Sequence, residues 1–140
     1  TPDALKSALS ALSSHFDGKI WCIFGCGGNR DKGKRSIMGE VAEQYADYLV
    51  VTDDNPRNDS GDEIVQHILS GMSEPNLVSI IRDRANAIAF AIKNASVHDV
   101  VLIAGKGHET CQDVLGVRNS FSDSMEARRA LQERGLKVDR

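Results

Sequence analysis

The sequence predicts an α/β fold: one three-layer, Rossmann-like domain with an open, mostly parallel sheet and helices on both of its faces. Three observations carry this. Short apolar runs alternate with segments of helical period along almost the whole chain. The strongest run, DVVLIAG at residues 99–105, is apolar without alternation, as a strand covered on both faces must be. The 140 residues, 41% of them apolar and 26% charged, suffice for one hydrophobic core but not for two.

Thr1 followed by Pro2 starts a helix, and Leu5, Ala8, Leu9, Leu12 and Phe16 return at helical spacing, predicting an amphipathic helix over residues 2–15. A chain that opens directly on a helix, with no leader, reads as cut from something longer. GKIWCIFG (18–25), apolar and bracketed by glycines, is a buried strand. Ile37, Met38, Val41, Ala42 and Tyr45 line the next helix, and YLVVT (48–52) is the next strand. Ser60, three residues before Glu63, makes a capping box for a helix carrying Ile64, Val65, Ile68, Leu69 and Met72. LVSII (77–81) is a strand, and Ala85, Ile88, Ala89 and Ile92 line the helix after it. Past the strand at 99–105, CQDVLGVRNSFSD is expected to form a short hairpin around Gly116, and residues 123–134 a last helix with a thin apolar stripe.

The formal charge of -3, from 17 basic and 20 acidic residues in mixed order, gives neither a nucleic-acid footprint nor a basic membrane face. Aromatic residues, at 5%, leave no stacking platform for bases. No stretch approaches the length needed to cross a bilayer, and the first ten residues lack the order of a signal peptide, so a monomeric, cytoplasmic protein without membrane or nucleic-acid partners is expected. Cys22, Cys26 and Cys111 are unevenly spaced and fit neither a zinc site nor a disulfide framework; free thiols in a reducing compartment are expected, and no metal-ligand set.

In open parallel sheets ligands sit beyond the carboxyl ends of the strands. Three polar loops occupy those ends, at residues 25–35, 53–59 and 105–113. The first, GCGGNRDKGKRS, stands between a strand and a helix, where free backbone N–H groups can hold an anion. It misses both familiar nucleotide patterns. Arg30 stands where G-x-G-x-x-G needs its last glycine, and the phosphate loop G-x-x-x-x-G-K-[ST], met by Gly28, Gly33 and Lys34, fails at Arg35, where a hydroxyl should reach magnesium. Arg30, Lys32, Lys34 and Arg35 oppose the helix dipole, so some of them are expected to have an anionic partner.

In the second loop, VTDDNPRNDS, Pro56 fixes its own φ and keeps Asn55 out of helical angles. Arg57 is thereby presented from a stiff frame, suited to grip a carboxylate by two parallel hydrogen bonds. Asp53 and Asp54 can orient that Arg, receive a ligand amine or cap the turn. In the third loop, GKGHET, Gly105 and Gly107 permit a sharp turn around Lys106, Glu109 can accept from an ammonium, and His108 reads equally as a base or as a structural ring. No nucleophilic partner stands near it in sequence. The loops together describe a clamp for a small molecule carrying both charges, binding rather than reacting, with no catalytic residue assigned.

GCGGNRDKGKRSIMG, VVTDDNPR and VLIAGKGHE, in this order and at these intervals, resemble the C-terminal domain of the Mur ligases that add the third residue to the cell-wall peptide, from Thr1 to about Asp123. The resemblance implies that residues 1–140 are the amino-acid substrate domain, with the UDP-sugar domain and the central ATPase domain, which holds the true phosphate loop, outside this chain. It implies an ATP-dependent ligase of peptidoglycan synthesis: the D-glutamate side carboxylate is phosphorylated by ATP with Mg2+, the incoming amine attacks, and phosphate leaves. ATP, Mg2+ and UDP-N-acetylmuramoyl-L-alanyl-D-glutamate would be met through the other domains; the isolated chain is expected to hold no cofactor and to turn nothing over.

In the branch of this family that uses meso-2,6-diaminopimelate, the Asp-Asn-Pro-Arg motif falls on Asp54, Asn55, Pro56 and Arg57, whose Arg meets the distal carboxylate. By the same resemblance Arg30 contacts the substrate, Gly105 and Glu109 hold its distal amino-acid end, and Lys106 and His108 lie toward ATP. Cys111, where the family often has Tyr, and Ser124-Met125, where a charge is common, depart from the pattern near the tail. A lysine-adding relative is the first alternative, set back by Arg57, for which lysine has no second carboxylate. The second is a free-standing Rossmann-like nucleotide binder, set back by the missing third glycine. A pure interaction module would need an exposed apolar stripe that these helices do not offer.

Overall fold

The computed structural model describes residues 1–135. Five helices, α1 (Pro2–His15), α2 (Gly33–Tyr45), α3 (Gly61–Leu69), α4 (Arg84–Asn94) and α5 (Asp123–Glu133), alternate with strands β1 (Ile20–Phe24), β2 (Tyr48–Val51), β3 (Ser79–Ile80) and β4 (Val100–Ile103). A hairpin of β5 (Cys111–Val114) and β6 (Val117–Ser120) precedes α5. The four main strands lie in the order β3-β2-β1-β4, and each adjacent pair is parallel. β1 is therefore central, with Cys22 opposite Leu49 on one side and Leu102 on the other.

The uniform apolarity of β1 resolves into two packed layers, one on each face of the same sheet, because successive side chains of a strand point to opposite faces. Ile20, Cys22 and Phe24 pack with Leu49 and Val51 under Leu5 and Leu9 of α1, Ala42 of α2 and Ile64, Val65 and Ile68 of α3. Trp21 and Ile23 pack with Val50 on the other face, under Ala87, Ile88, Ala91 and Ile92 of α4 and Ala130 of α5. Helices on both sides of a mostly parallel sheet make the three expected layers.

The helix starts follow from their caps. Thr1 Oγ1 accepts from Ala4 N, Ser60 Oγ from Glu63 N, Asp83 from Asn86 N and Ser122 Oγ from Met125 N, each satisfying an N–H that the first turn leaves open. α2 differs: Lys32 precedes it and offers no side-chain acceptor.

Two departures from the sequence reading are local. The strand expected over 77–81 is only Ser79–Ile80, because Pro75–Leu77 closes a 3-10 turn that leaves Leu77 77% exposed at the sheet edge. α3 ends at Leu69, and Met72 reaches the core from the turn beyond it. The last helix lies where it is expected and packs on α4.

Candidate functional site

Parallel strands β1, β2 and β4 discharge their loops at one edge, and the loops are tied to each other there. Gly28 N donates to Asn55 O at 2.7 Å, so the first loop lies directly on the second. A Cβ at Gly28 would overlap the Pro56 carbonyl, which is why a glycine stands there. Gly105 brings the third loop against the second in the same way: its φ is +108°, and a Cβ would stand 2.5 Å from Asp54 Oδ2.

Between the loops lies a cleft of about 420 Å3, and Arg30, Asp54, Asn55, Arg57, Gly105 and Glu109 all line it. These six residues, spread over 80 positions of sequence, therefore face one volume. Thr1 and Pro2 at the start of α1 form part of its rim. Two other cavities are less suited to a doubly charged ligand: one of about 340 Å3 beside α2 has Glu43, Asp47 and Glu74 and no cation, and one of about 290 Å3 between β4 and α5 is mainly apolar.

Arg57 is held in the left-handed region, at φ +53°, which costs a non-glycine residue about 1 kcal/mol or more. The hairpin maintains it there. Arg57 N donates to Asp113 O at 3.0 Å, and Leu115 N donates to Arg57 O at 2.7 Å, so β5 bridges the second loop from outside. Gln112 Nε2 adds a bond to Asp54 O at 2.8 Å. The guanidinium of Arg57 donates from Nη1 to Gly28 O at 2.9 Å and keeps further N–H groups for a ligand.

Asn55 is nearly buried, and protein groups take most of its capacity. Its Nδ2 donates to Glu109 Oε1 at 3.0 Å, and its Oδ1 accepts from Lys106 Nζ at 2.8 Å and from Asp113 N at 2.9 Å. Lys106, which the resemblance sets toward ATP, has a fully buried side chain that also reaches Glu109 Oε1 at 3.2 Å. His108 is exposed and does not line the cleft.

Charges in the cleft are divided. Burial pushes the Asp54 carboxyl above its ordinary range, against the opposing pull of Arg84 and Lys106. Glu109 feels burial too, but hydrogen bonds from Asn55 and Lys106 outweigh it and hold that carboxyl below its ordinary range. Arg30 and Lys34 line the same cleft and have no ion-pair partner among the described residues. Cys26 lies in the wall, with its thiol pushed up to about 11 chiefly by burial, so it is no nucleophile near neutral pH. Arg35 and Asp31 also line the cleft but are bonded to Asp59 and to Gly33 N; the guanidinium groups of Arg30 and Arg57 with the carboxylates of Asp54 and Glu109 complement a molecule with both a carboxylate and an ammonium.

Sequence reasoning missed several supports of this site. Arg35 is 2% exposed and binds Asp59 at 2.9 Å, Gly27 O at 3.1 Å and His67 Nδ1 at 3.0 Å; Asp59 is the anionic partner that the four-cation start of α2 required. Asp53 neither bonds Arg57 nor lines the cleft, but forms a two-point pair with Arg82. Arg84 donates to Asp53 O and Ala104 O, the carbonyls just before Asp54 and Gly105, and pairs with Asp123. The signal was present, because Arg84 sits three and four residues before Ala87 and Ile88 on the buried stripe of α4.

Known proteins resemble this chain in sequence and in fold. A UDP-N-acetylmuramoyl-L-alanyl-D-glutamate--2,6-diaminopimelate ligase from Xylella fastidiosa (strain 9a5c) is 60% identical over 131 residues, covering 94% of this chain and 26% of that protein. A protein of the same name from Coxiella burnetii (strain RSA 493 / Nine Mile phase I) is 51% identical over 131 residues, covering 94% of this chain and 27% of that one. A solved structure of a ligase with this name superposes with a TM-score of 0.92 at 39% identity, over 98% of this chain and 28% of the other. The chain thus spans about a quarter of the length of the relatives it matches. Residues 1–107 match the family model described as "Mur ligase, glutamate ligase domain", and the chain belongs to that family.

Proposed function

We propose that this chain is the amino-acid-binding, C-terminal domain of an ATP-dependent ligase that adds meso-2,6-diaminopimelate to UDP-N-acetylmuramoyl-L-alanyl-D-glutamate in peptidoglycan synthesis. The observation that carries the reading is the cleft itself, in which Arg57 and Arg30 stand beside Asp54 and Glu109. Diaminopimelate has an amino-acid head at each end. One head supplies a carboxylate for Arg57 and Arg30 and an ammonium for Asp54 and Glu109, which leaves the amine of the other head free to attack. Lysine lacks the second carboxylate and would leave Arg57 without its partner, which disfavours the lysine-adding reading.

The domain's contribution is to bind and orient. ATP phosphates and magnesium do not fit its first loop, because Arg35, at the place of the metal-binding hydroxyl, is buried and already bonded to Asp59 and Gly27 O. We assign ATP, Mg2+ and the UDP-linked dipeptide to the part of the ligase outside this chain. No helix among the described residues is long and apolar enough to cross a membrane, and we assign the ligase to the cytoplasm as a monomer. The test is a ligation assay on the full-length protein with the UDP-linked dipeptide, ATP, magnesium and either diaminopimelate or lysine. ADP release dependent on diaminopimelate is expected; equal turnover with lysine overturns the substrate assignment.

A further inference from the structure

We propose that Lys106 is a positioning residue for the ammonium-binding half of the cleft: its buried ammonium ties Asn55 to Glu109, behind Asp54, so that Glu109 turns Oε2 to the ligand. This deepens the reading of the cleft as an amino-acid site and rests on it.

The geometry is specific. Gly105, at φ +108°, and Gly107, at φ +53°, flank Lys106 and let the chain double back so that its side chain runs inward. The side chain is fully buried, with Nζ 2.8 Å from Asn55 Oδ1, 3.2 Å from Glu109 Oε1 and 3.9 Å from Asp54 Oδ1. An ammonium this deep is tolerated only with such partners. Glu109 Oε1 also receives Asn55 Nδ2 at 3.0 Å, so that oxygen is saturated by two donors, whereas Oε2 has no partner among the described residues. Glu109 is 46% exposed, which leaves its outer oxygen accessible from the cleft.

Lys106 also sets the charge balance. Asp54 faces Arg84, Lys106 and Glu109, with the Cys26 thiol nearby; Glu109 faces Lys106, Arg57 and Asn55. Without the ammonium of Lys106 the two carboxylates would repel each other, and both would hold protons more readily. Binding of an ammonium ligand would then fail at a higher pH than in the wild type. Lys106 itself, fully buried, acts through Asn55 and Glu109 and not by touching the ligand.

The experiment is steady-state kinetics of the full-length ligase carrying Lys106→Met or Lys106→Arg, with diaminopimelate and ATP each varied. For a folded Lys106→Met, the expected result is a KM for diaminopimelate about 10- to 100-fold higher, the scale of one lost charge-assisted hydrogen bond, with the KM for ATP unchanged. The acid limb of kcat/KM for diaminopimelate moves to higher pH, and Lys106→Arg recovers part of the loss. An unchanged KM for diaminopimelate, or a rise confined to ATP, overturns the inference. If Lys106→Met does not fold, side-chain 15N NMR of lysine-labelled wild type decides: a shift of the Lys106 ammonium with diaminopimelate alone supports the inference, and a shift with ATP alone, or none, overturns it. A wild type that ligates lysine and ignores diaminopimelate overturns the underlying substrate reading, and this inference with it; a wild type that uses diaminopimelate while Lys106→Met binds it normally overturns the inference alone.

Discussion

Arg84 and Asp123 form a two-point ion pair, with Nε to Oδ1 at 2.7 Å and Nη2 to Oδ2 at 2.8 Å, and both side chains are almost completely buried. The pair joins the first turn of α4 to the first turn of α5, while the other Arg84 contacts hold the carbonyls at which the second and third loops begin. Fold and site share this residue.

Asp123→Ala should therefore destabilise the chain by about 3 to 5 kcal/mol, the scale for leaving one member of a buried pair uncompensated. Arg84→Met combined with Asp123→Leu should recover much of that stability, because a buried pair and a packed apolar pair are often nearly equivalent. Urea titration measures both. A double variant as unstable as the single one means that the loop carbonyls, and not the carboxylate, are what Arg84 chiefly serves.

Burial of Cys22 and Cys26 gives a chemical prediction. Their thiols are pushed up to about 12 and about 11, so little thiolate exists at pH 8; Cys22 is enclosed as well, whereas Cys26 is half-buried in the cleft wall. Native protein treated with iodoacetamide should be modified first at half-buried Cys111, more slowly at equally half-buried Cys26 because its thiol is raised, and at Cys22 only in urea. Mass spectrometry of the digested protein reads this directly; labelling of Cys26 as fast as Cys111 means that its thiol is not held up as described, and labelling of Cys22 without urea means that the core opens.

The layers and the site loops were legible in the sequence for a physical reason. Apolar period and turn chemistry are local properties, and a parallel sheet then brings its loops to one edge whatever the strand order. What the loops do to one another was not legible. Asn55 and Lys106 read as ligand or nucleotide contacts, yet each spends its polar atoms on the other and on Glu109, a relation across 51 residues that no local pattern encodes. Asp53 likewise read as able to orient Arg57, receive a ligand amine or cap the turn, but Arg82 reaches it from the β3 side. Pro75 shortened the β3 strand because a proline followed by two residues closes a 3-10 turn more easily than it joins an edge.

Asp54 separates function from stability. Its carboxyl is raised by burial, so the folded state binds this proton more tightly than the unfolded chain does. The cost of keeping it charged is absent below the ordinary Asp range and is fully present once pH has risen through the folded value. Asp54→Asn should thus raise the urea midpoint at neutral pH, with the gain shrinking toward zero as pH falls below about 4, the ordinary Asp value. The same variant should weaken use of diaminopimelate. A midpoint that drops at pH 7 would show that the charge of Asp54 is what holds the second and third loops together.

Arg57 gives the sharpest test of substrate choice. Diaminopimelate and lysine both offer an ammonium to Asp54 and Glu109, so those carboxylates do not separate the two ligands; only the extra carboxylate of diaminopimelate does. In the proposed function Arg57 is the group to meet it, from a backbone fixed by Pro56 and by the β5 bridge and with Nη1 already anchored on Gly28 O, so little conformational freedom would remain to be lost on binding. In the full-length ligase, Arg57→Ala should lose about 2 to 5 kcal/mol in binding diaminopimelate, the range for truncating one side of a hydrogen-bonded charge pair. The weak use of lysine should stay level or improve, because an unpaired guanidinium no longer stands under it. Arg57→Lys should restore only part, since an ammonium cannot make the planar fork and its bond to Gly28 O is made from a different direction. The measurement is kcat/KM for both amino acids at fixed ionic strength in the wild type and both variants. Equal losses for the two substrates would mean that Arg57 acts by bracing the first loop through Gly28, and the preference for diaminopimelate would have to come from Arg30.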